Sequence, residues 1–151
     1  MKKNYTQTVH YQIEVTSKYM KLAGIQLIKK IGVDLSFDEF IALDMLASEG
    51  PMCQRDLAKI ILKDRANTGK LLDLLEAKGL IERELSVKNN RPVKFVKISL
   101  KGKEFYEETY NKLKPHHKLV EEKIANSDLS KVGELLKDLR DVLEETIDID
   151  I

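Results

Sequence analysis

Between Leu80 and Leu100 the hydrophobic pattern of this chain leaves the helical period and alternates, first as LIERELSV and then as PVKFVKISL. KNNR, a cluster of turn-forming residues, separates the two runs. Alternation around such a cluster predicts a β-hairpin. On both sides of it the period is helical. The spacing of Val9, Ile13, Tyr19, Met20, Ala23, Leu27 and Ile31 predicts a helix over residues 6–31, stopped by Gly32. Ser36, with Glu39 three residues on, forms a capping box for a second helix. Phe37, Phe40, Ile41, Leu43 and Leu46 supply its buried side, and Gly50-Pro51 ends it. CQRDLAKIIL predicts a third helix of about three turns. DRANTGKLLDLLEAKG predicts a fourth, capped by Asp64 and ended at Gly79. After the hairpin, KGKEFYEETYNKL resumes helix, Pro115 is expected to break or kink it, and SDLSKVGELLKDLRDVLEE forms the last helix.

A chain that is helical except for one hairpin is mainly α, and 151 residues suffice for a single domain with a real core. Three prolines and seven glycines are too few for an all-β protein. No apolar run approaches the roughly 20 residues that span a bilayer, so no membrane partner is expected. No signal-peptide pattern opens the chain. One cysteine excludes an intrachain disulfide and suits a reducing cytoplasm. The compact block 35–102 lies between two long helical arms, 1–34 and 103–151. An amphipathic arm must cover its apolar side, and we expect a homodimer in which the arms interlock.

The net charge of +1 hides an uneven distribution. From Arg83 to Lys103 the bases are Arg83, Lys88, Arg91, Lys94, Lys97, Lys101 and Lys103, against Glu84 alone. From Glu121 onward acids outnumber bases. The local excess points to a polyanion partner.

Two short helices followed by a basic hairpin match a helix-turn-helix with a wing, which explains the odd opening of the fourth helix. Arg65, Ala66, Asn67, Thr68, Gly69 and Lys70 bring little to bury, and Gly69 costs roughly 1 kcal/mol against alanine. A helix about 10–12 Å across fills a major groove about 12 Å wide, so small residues on its leading side permit close approach. Ala66 and Gly69 are small, while Asn67, Thr68 and Lys70 carry groups that can read base edges. Arg65, Gln54, Arg55, Lys88 and Lys94 are candidate phosphate contacts, which position without specifying. Cys53, at the N-cap of the third helix, is the one candidate redox residue, because a helix dipole can lower a thiol pKa. His116 and His117 are adjacent and point about 100° apart on a helix, so no metal site is expected. Nothing resembles a nucleophile elbow, a P-loop or a dinucleotide fingerprint, so we expect neither enzyme activity nor a cofactor.

The runs LSFDEFIALDMLASEGPMCQRDLAKIIL, DRANTGKLLDLLEAKGLIER and NRPVKFVKISLKGKEF resemble the MarR family of bacterial winged-helix transcription regulators. The resemblance is strongest from Leu35 to Gly102, and ISLKGK stands where the family has a leucine-threonine-x-x-glycine signature. It implies a homodimer on palindromic operator DNA, most often as a repressor, with the fourth helix in the major groove and the wing in the flanking minor groove. Asn90-Arg91 replaces the family's wing-tip Asp-Arg pair, leaving Arg91 as the wing arginine and Asn90 beside it. Thr68 occupies a position that is often apolar in the family. The resemblance further implies release by a small phenolic or lipophilic effector, and it places His10, Tyr11 and Tyr19 near the family's effector crevice. Two other readings stand beside it: a winged helix used for protein–protein assembly, and a DNA-binding protein switched by oxidation at Cys53.

Overall fold

The computed structural model describes residues 4–124 and 129–147. The side chains of Lys88 and Leu129 lie outside the described residues. The elements run α1 (Val9–Ile31), α2 (Phe37–Ser48), β1 (Met52–Cys53), α3 (Gln54–Ile60), α4 (Arg65–Ala77), β2 (Ile81–Lys88), β3 (Arg91–Ile98), α5 (Leu100–Lys123) and α6 (Leu129–Thr146). The fold is therefore mainly helical, with a small antiparallel sheet of order β1-β3-β2 as its wing.

The hairpin has the register Ile81↔Ile98 through Lys88↔Arg91. Its two turn residues, Asn89 and Asn90, hold φ of 54° and 57°. Two successive left-handed residues make the tight turn that matches strand twist, and asparagine tolerates that region better than most residues. The short strand β1, which alternation did not reveal, pairs Met52 with Val96 and Cys53 with Phe95.

Three helix boundaries differ from the sequence expectation. The first helix starts at Val9 rather than residue 6, because Tyr5–Gln7 form a separate 3-10 turn and the Thr8 hydroxyl caps α1 by accepting from the Tyr11 N–H. The third helix has seven residues, nearer two turns than three. Beyond its C-cap, Leu62 takes a left-handed φ of 52°, which turns the chain into α4 without a glycine to announce it. Pro115 does not break α5, which runs unbroken from Leu100 to Lys123. Pro115 and Asn111 are both exposed, so water can reach the Asn111 carbonyl that the missing N–H leaves unpaired.

One hydrophobic core holds Leu43 and Leu46 of α2, Leu57 of α3, Leu72 and Leu75 of α4, and Val96 of β3. Ile28 of α1 and Leu113 of α5 belong to the same core, so both long helices are anchored to the winged block. Elsewhere these helices leave apolar side chains in solvent. Val9, Tyr19 and Met20 on α1, Leu119 and Val120 on α5, and Val132, Leu135 and Val142 on α6 are all exposed.

The capping box is present in full. The Ser36 N–H donates to Glu39 Oε2 at 2.6 Å, and the Glu39 N–H donates to Ser36 Oγ at 3.1 Å. The buried carboxylate also accepts from Lys78 Nζ at 3.0 Å, tying the start of α2 to the end of α4. Burial pushes the Glu39 carboxyl up, but the Ser36 bonds and Lys78 more than offset it, leaving it below the ordinary glutamate range. A depressed folded-state pKa gives stability that is full above the unfolded value and lost as pH falls through the folded one. Glu39→Gln is accordingly expected to cost roughly 1–2 kcal/mol at pH 7 and to flatten the acid-side decline. Thermal melts of both proteins between pH 7 and pH 3 check this; an unchanged slope in the variant assigns the decline to other carboxylates.

Candidate nucleic-acid interface

The fourth helix divides into two faces. Thr68, Leu71, Leu72 and Leu75 are buried against the core, and Arg65, Ala66, Asn67 and Lys70 are exposed. Thr68 is fully buried: its position one turn before Leu72 carries it inward, onto the floor of the groove described below rather than out to solvent as the sequence assignment had it. Asp64 caps the helix by accepting from the Asn67 N–H at 2.8 Å.

Gly69 is half-buried and has no left-handed backbone angle. The nearest atom to a Cβ built there is Gln54 Nε2, 3.8 Å away, an ordinary van der Waals distance. Neither packing nor backbone conformation requires glycine at this position, although it weakens the helix by roughly 1 kcal/mol.

A groove of about 1020 Å³ opens between the N-terminal ends of α3 and α4 and the tip of β3. Gln54, Arg55, Lys63, Arg65, Arg91 and Lys94 line it. Gln54, Arg55, Arg65, Thr68, Arg91 and Lys94, candidate contacts in the sequence, thus meet in one concavity, whereas Ala66, Asn67, Gly69 and Lys70 are not among its lining residues. Arg55, Arg65, Arg91 and Lys94 make no ion pair among the described residues, whereas Lys63 is held by Asp38 at 2.8 Å. The Gln54 Oε1 atom is buried without a hydrogen-bond partner among the described residues. Cys53 is a free cysteine buried in the groove wall, the residue as a whole being 5% exposed. The backbone of Lys88 ends β2 at the wing tip, opposite Arg91. Asn90 is exposed in the turn itself.

The wing carries less free charge than its composition suggests. Lys97 is paired with Glu82 at 3.2 Å, and Lys101 donates to the Lys78 carbonyl at 2.6 Å. Arg83 is committed to α4: its Nη2 donates to Asp73 at 2.7 Å, and it also bonds Glu76. The Arg83 bond holds the Glu76 carboxyl below its usual range. This clamp joins the base of the wing to the fourth helix, and sequence reasoning counted Arg83 only as a loose positive charge. The signal was present, since Asp73 and Glu76 stand three apart and share one helix face.

A second crevice of about 540 Å³ lies between α1 and the start of α2, with Ile25, Ile28 and Phe37 on its apolar side and Lys21 and Lys78 on its polar side. His10 and Tyr19 are exposed, and Tyr11 is half-buried with its ring edge-on to Tyr5 at 5.9 Å. None of the three lines this crevice. Among the described residues no three histidine, cysteine or acidic side chains are grouped to hold a metal ion, and no helix is long and apolar enough to cross a membrane.

Residues 32–91 match the model of the MarR family. Solved structures similar to the whole chain include BldR from Sulfolobus solfataricus, a transcriptional regulator, at 25% identity and a TM-score of 0.67, over 95% of this chain and 99% of that one. The S. aureus MepR–DNA complex matches at 18% identity and a TM-score of 0.71, over 95% and 100%. NadR in complex with 4-hydroxyphenylacetate matches at 19% identity and a TM-score of 0.75, over 92% and 97%. No curated protein matches the chain by sequence.

Proposed function

We propose that the protein, whose residues 32–91 match the MarR-family model, is a transcription regulator that binds double-stranded operator DNA as a homodimer. One observation carries this reading: beside the exposed N-terminal end of α4 lies a groove whose cations come from three elements, Arg55 from α3, Arg65 from α4, and Arg91 and Lys94 from β3. Such a surface suits a helix set into a major groove, with phosphates gripped on either side. A glycine that the fold does not require, on the leading face of that helix, supports the same reading. Asn67 and Lys70 then face base edges, and the wing with Asn90, Arg91 and the backbone of Lys88 follows the flanking backbone or minor groove.

In a dimer with two such helices about 34 Å apart, successive major grooves on one side of the duplex are met together, which calls for a palindromic site. Occupying a promoter in this way represses it. A small phenolic or lipophilic effector releases the DNA if it favours an arrangement with the wrong spacing. The α1–α2 crevice has the volume of a small-molecule site, and NadR was solved with a phenolic acid bound.

The test is binding to the duplex upstream of the protein's own reading frame, with competitor DNA, at about 50 and 200 mM salt. Affinity is expected to fall by about 10³-fold or more if six or more phosphates are neutralised. Gly69→Ala is expected to melt higher, by an amount worth roughly 1 kcal/mol, and to bind the duplex more weakly. Salt-independent association, or an alanine variant that binds as well as the parent, would turn the assignment toward a protein–protein assembly module.

A further inference from the structure

We propose that Asp64 is a positioning residue that selects the base Asn67 reads, by fixing which way the Asn67 amide faces. The inference rests on the DNA-binding reading above and adds a specific chemical preference to it. Both oxygens of the Asp64 carboxylate are spent on one residue. Oδ1 accepts the Asn67 backbone N–H at 2.8 Å, and Oδ2 accepts a hydrogen from Asn67 Nδ2 at 2.5 Å. An ionised carboxylate offers only acceptors, so the amide oxygen of Asn67 cannot occupy the position facing it. The two Asn67 bonds also hold the Asp64 carboxyl below its ordinary range, so it is ionised at neutral pH.

With Nδ2 turned toward Asp64, the outward edge of Asn67 presents Oδ1 as acceptor and the second amide hydrogen as donor. That pair complements N6 and N7 of adenine in the major groove. Asn67 is exposed on the leading face of α4. A serine or threonine cap has a single oxygen, which can accept the backbone N–H but leaves the side-chain amide free to turn either way. Asparagine at 64 keeps an accepting oxygen for the cap and places an amide donor opposite the Asn67 side chain. Asn67 then reverses, and its outward atom becomes a donor suited to the acceptors of guanine.

The experiment is selection from a pool of randomised duplexes by the full-length protein and by Asp64→Ser, Asp64→Asn and Asn67→Ala, each checked for folding by its thermal melt. Both Asp64 variants retain a capping oxygen and are expected to fold. The parent should enrich a motif with adenine at one fixed position of each half-site, preferred about tenfold or more, as for one good bidentate pair. Asp64→Ser should enrich the same motif with that position flattened, as Asn67→Ala does, and Asp64→Asn should move it toward guanine. A purely structural cap would lower affinity for every sequence alike. The inference is overturned if the parent yields a motif and both Asp64 variants select the same base at every position. If the parent enriches nothing, the DNA-binding reading fails and takes this inference with it.

Discussion

Gly102→Ala is expected to destabilise the protein by about 3 kcal/mol or more, at the upper end of what overpacking costs. A Cβ at this position would lie 1.9 Å from the Leu80 carbonyl oxygen and 2.8 Å from Ile98 Cγ1. The carbonyl has no freedom to retreat. It accepts the Ser99 N–H at 3.0 Å, and Leu80 is buried. The Ser99 hydroxyl donates to the Gly79 carbonyl at 2.7 Å and accepts the Gly102 N–H at 2.9 Å, so the first turn of α5 is bonded flat against the α4–β2 junction. Alanine there must lift the helix off that junction and break those bonds together. Against a total stability of about 5–15 kcal/mol, such a loss is severe. The informative comparison is Gly69→Ala, where the same change is expected to stabilise. Denaturant unfolding of both variants reads the two signs side by side; equal effects would mean that the close approach of α5 is not what holds Gly102.

The paired substitution Leu135→Asp with Val142→Asp is expected to convert the proposed homodimer into monomers. Leu135 is 67% exposed and Val142 56% exposed. They lie seven residues apart, on one face of α6. An apolar face of this kind is stable in water when a second copy covers it, and a two-fold interface counts each substitution twice. At roughly 1.5 kcal/mol or more for each buried side chain lost, four sites amount to about 6 kcal/mol, on the order of a 10⁴-fold weaker dimer. Sedimentation or light scattering at micromolar protein reads the outcome directly. A variant that stays dimeric would place the interface on α1 and α5 without α6.

What could be read from the sequence were the features whose physics is local. The Ser36–Glu39 box, the alternating runs about the two asparagines, and the leucine spacing of α4 each depend on neighbours within a turn or two, and each stands as expected. The misses depend on contacts distant in sequence. Leu62 is the exception: it is exposed and left-handed in the α3–α4 turn, where its N–H donates to the nearby Lys59 carbonyl. β1 is two residues long and exists only because β3 passes beside it. Pro115 is a helix breaker by composition, yet it falls just after buried Leu113 on a helix whose near side is held by the core. Thr68 has the chemistry of a base contact and the position of a core residue, and only the packing decides between them. The same holds for the candidate site: the sequence identified Arg55, Arg65, Arg91 and Lys94, but not their convergence on one groove, nor the loss of Arg83 and Lys97 to internal ion pairs.

The unbroken course of α5 through Pro115 also has a mechanical meaning. Its 24 residues form a rod about 36 Å long, fixed at one end by Ser99 and Gly102 and projecting past Leu113 at the other. A rod pinned at its base amplifies angle into distance: a tilt of roughly 10° at the pinned end carries the far end through about 6 Å. With the helix continuous through Pro115, a small rotation of the winged lobe would reach the far end of α5 as a displacement longer than a helical turn.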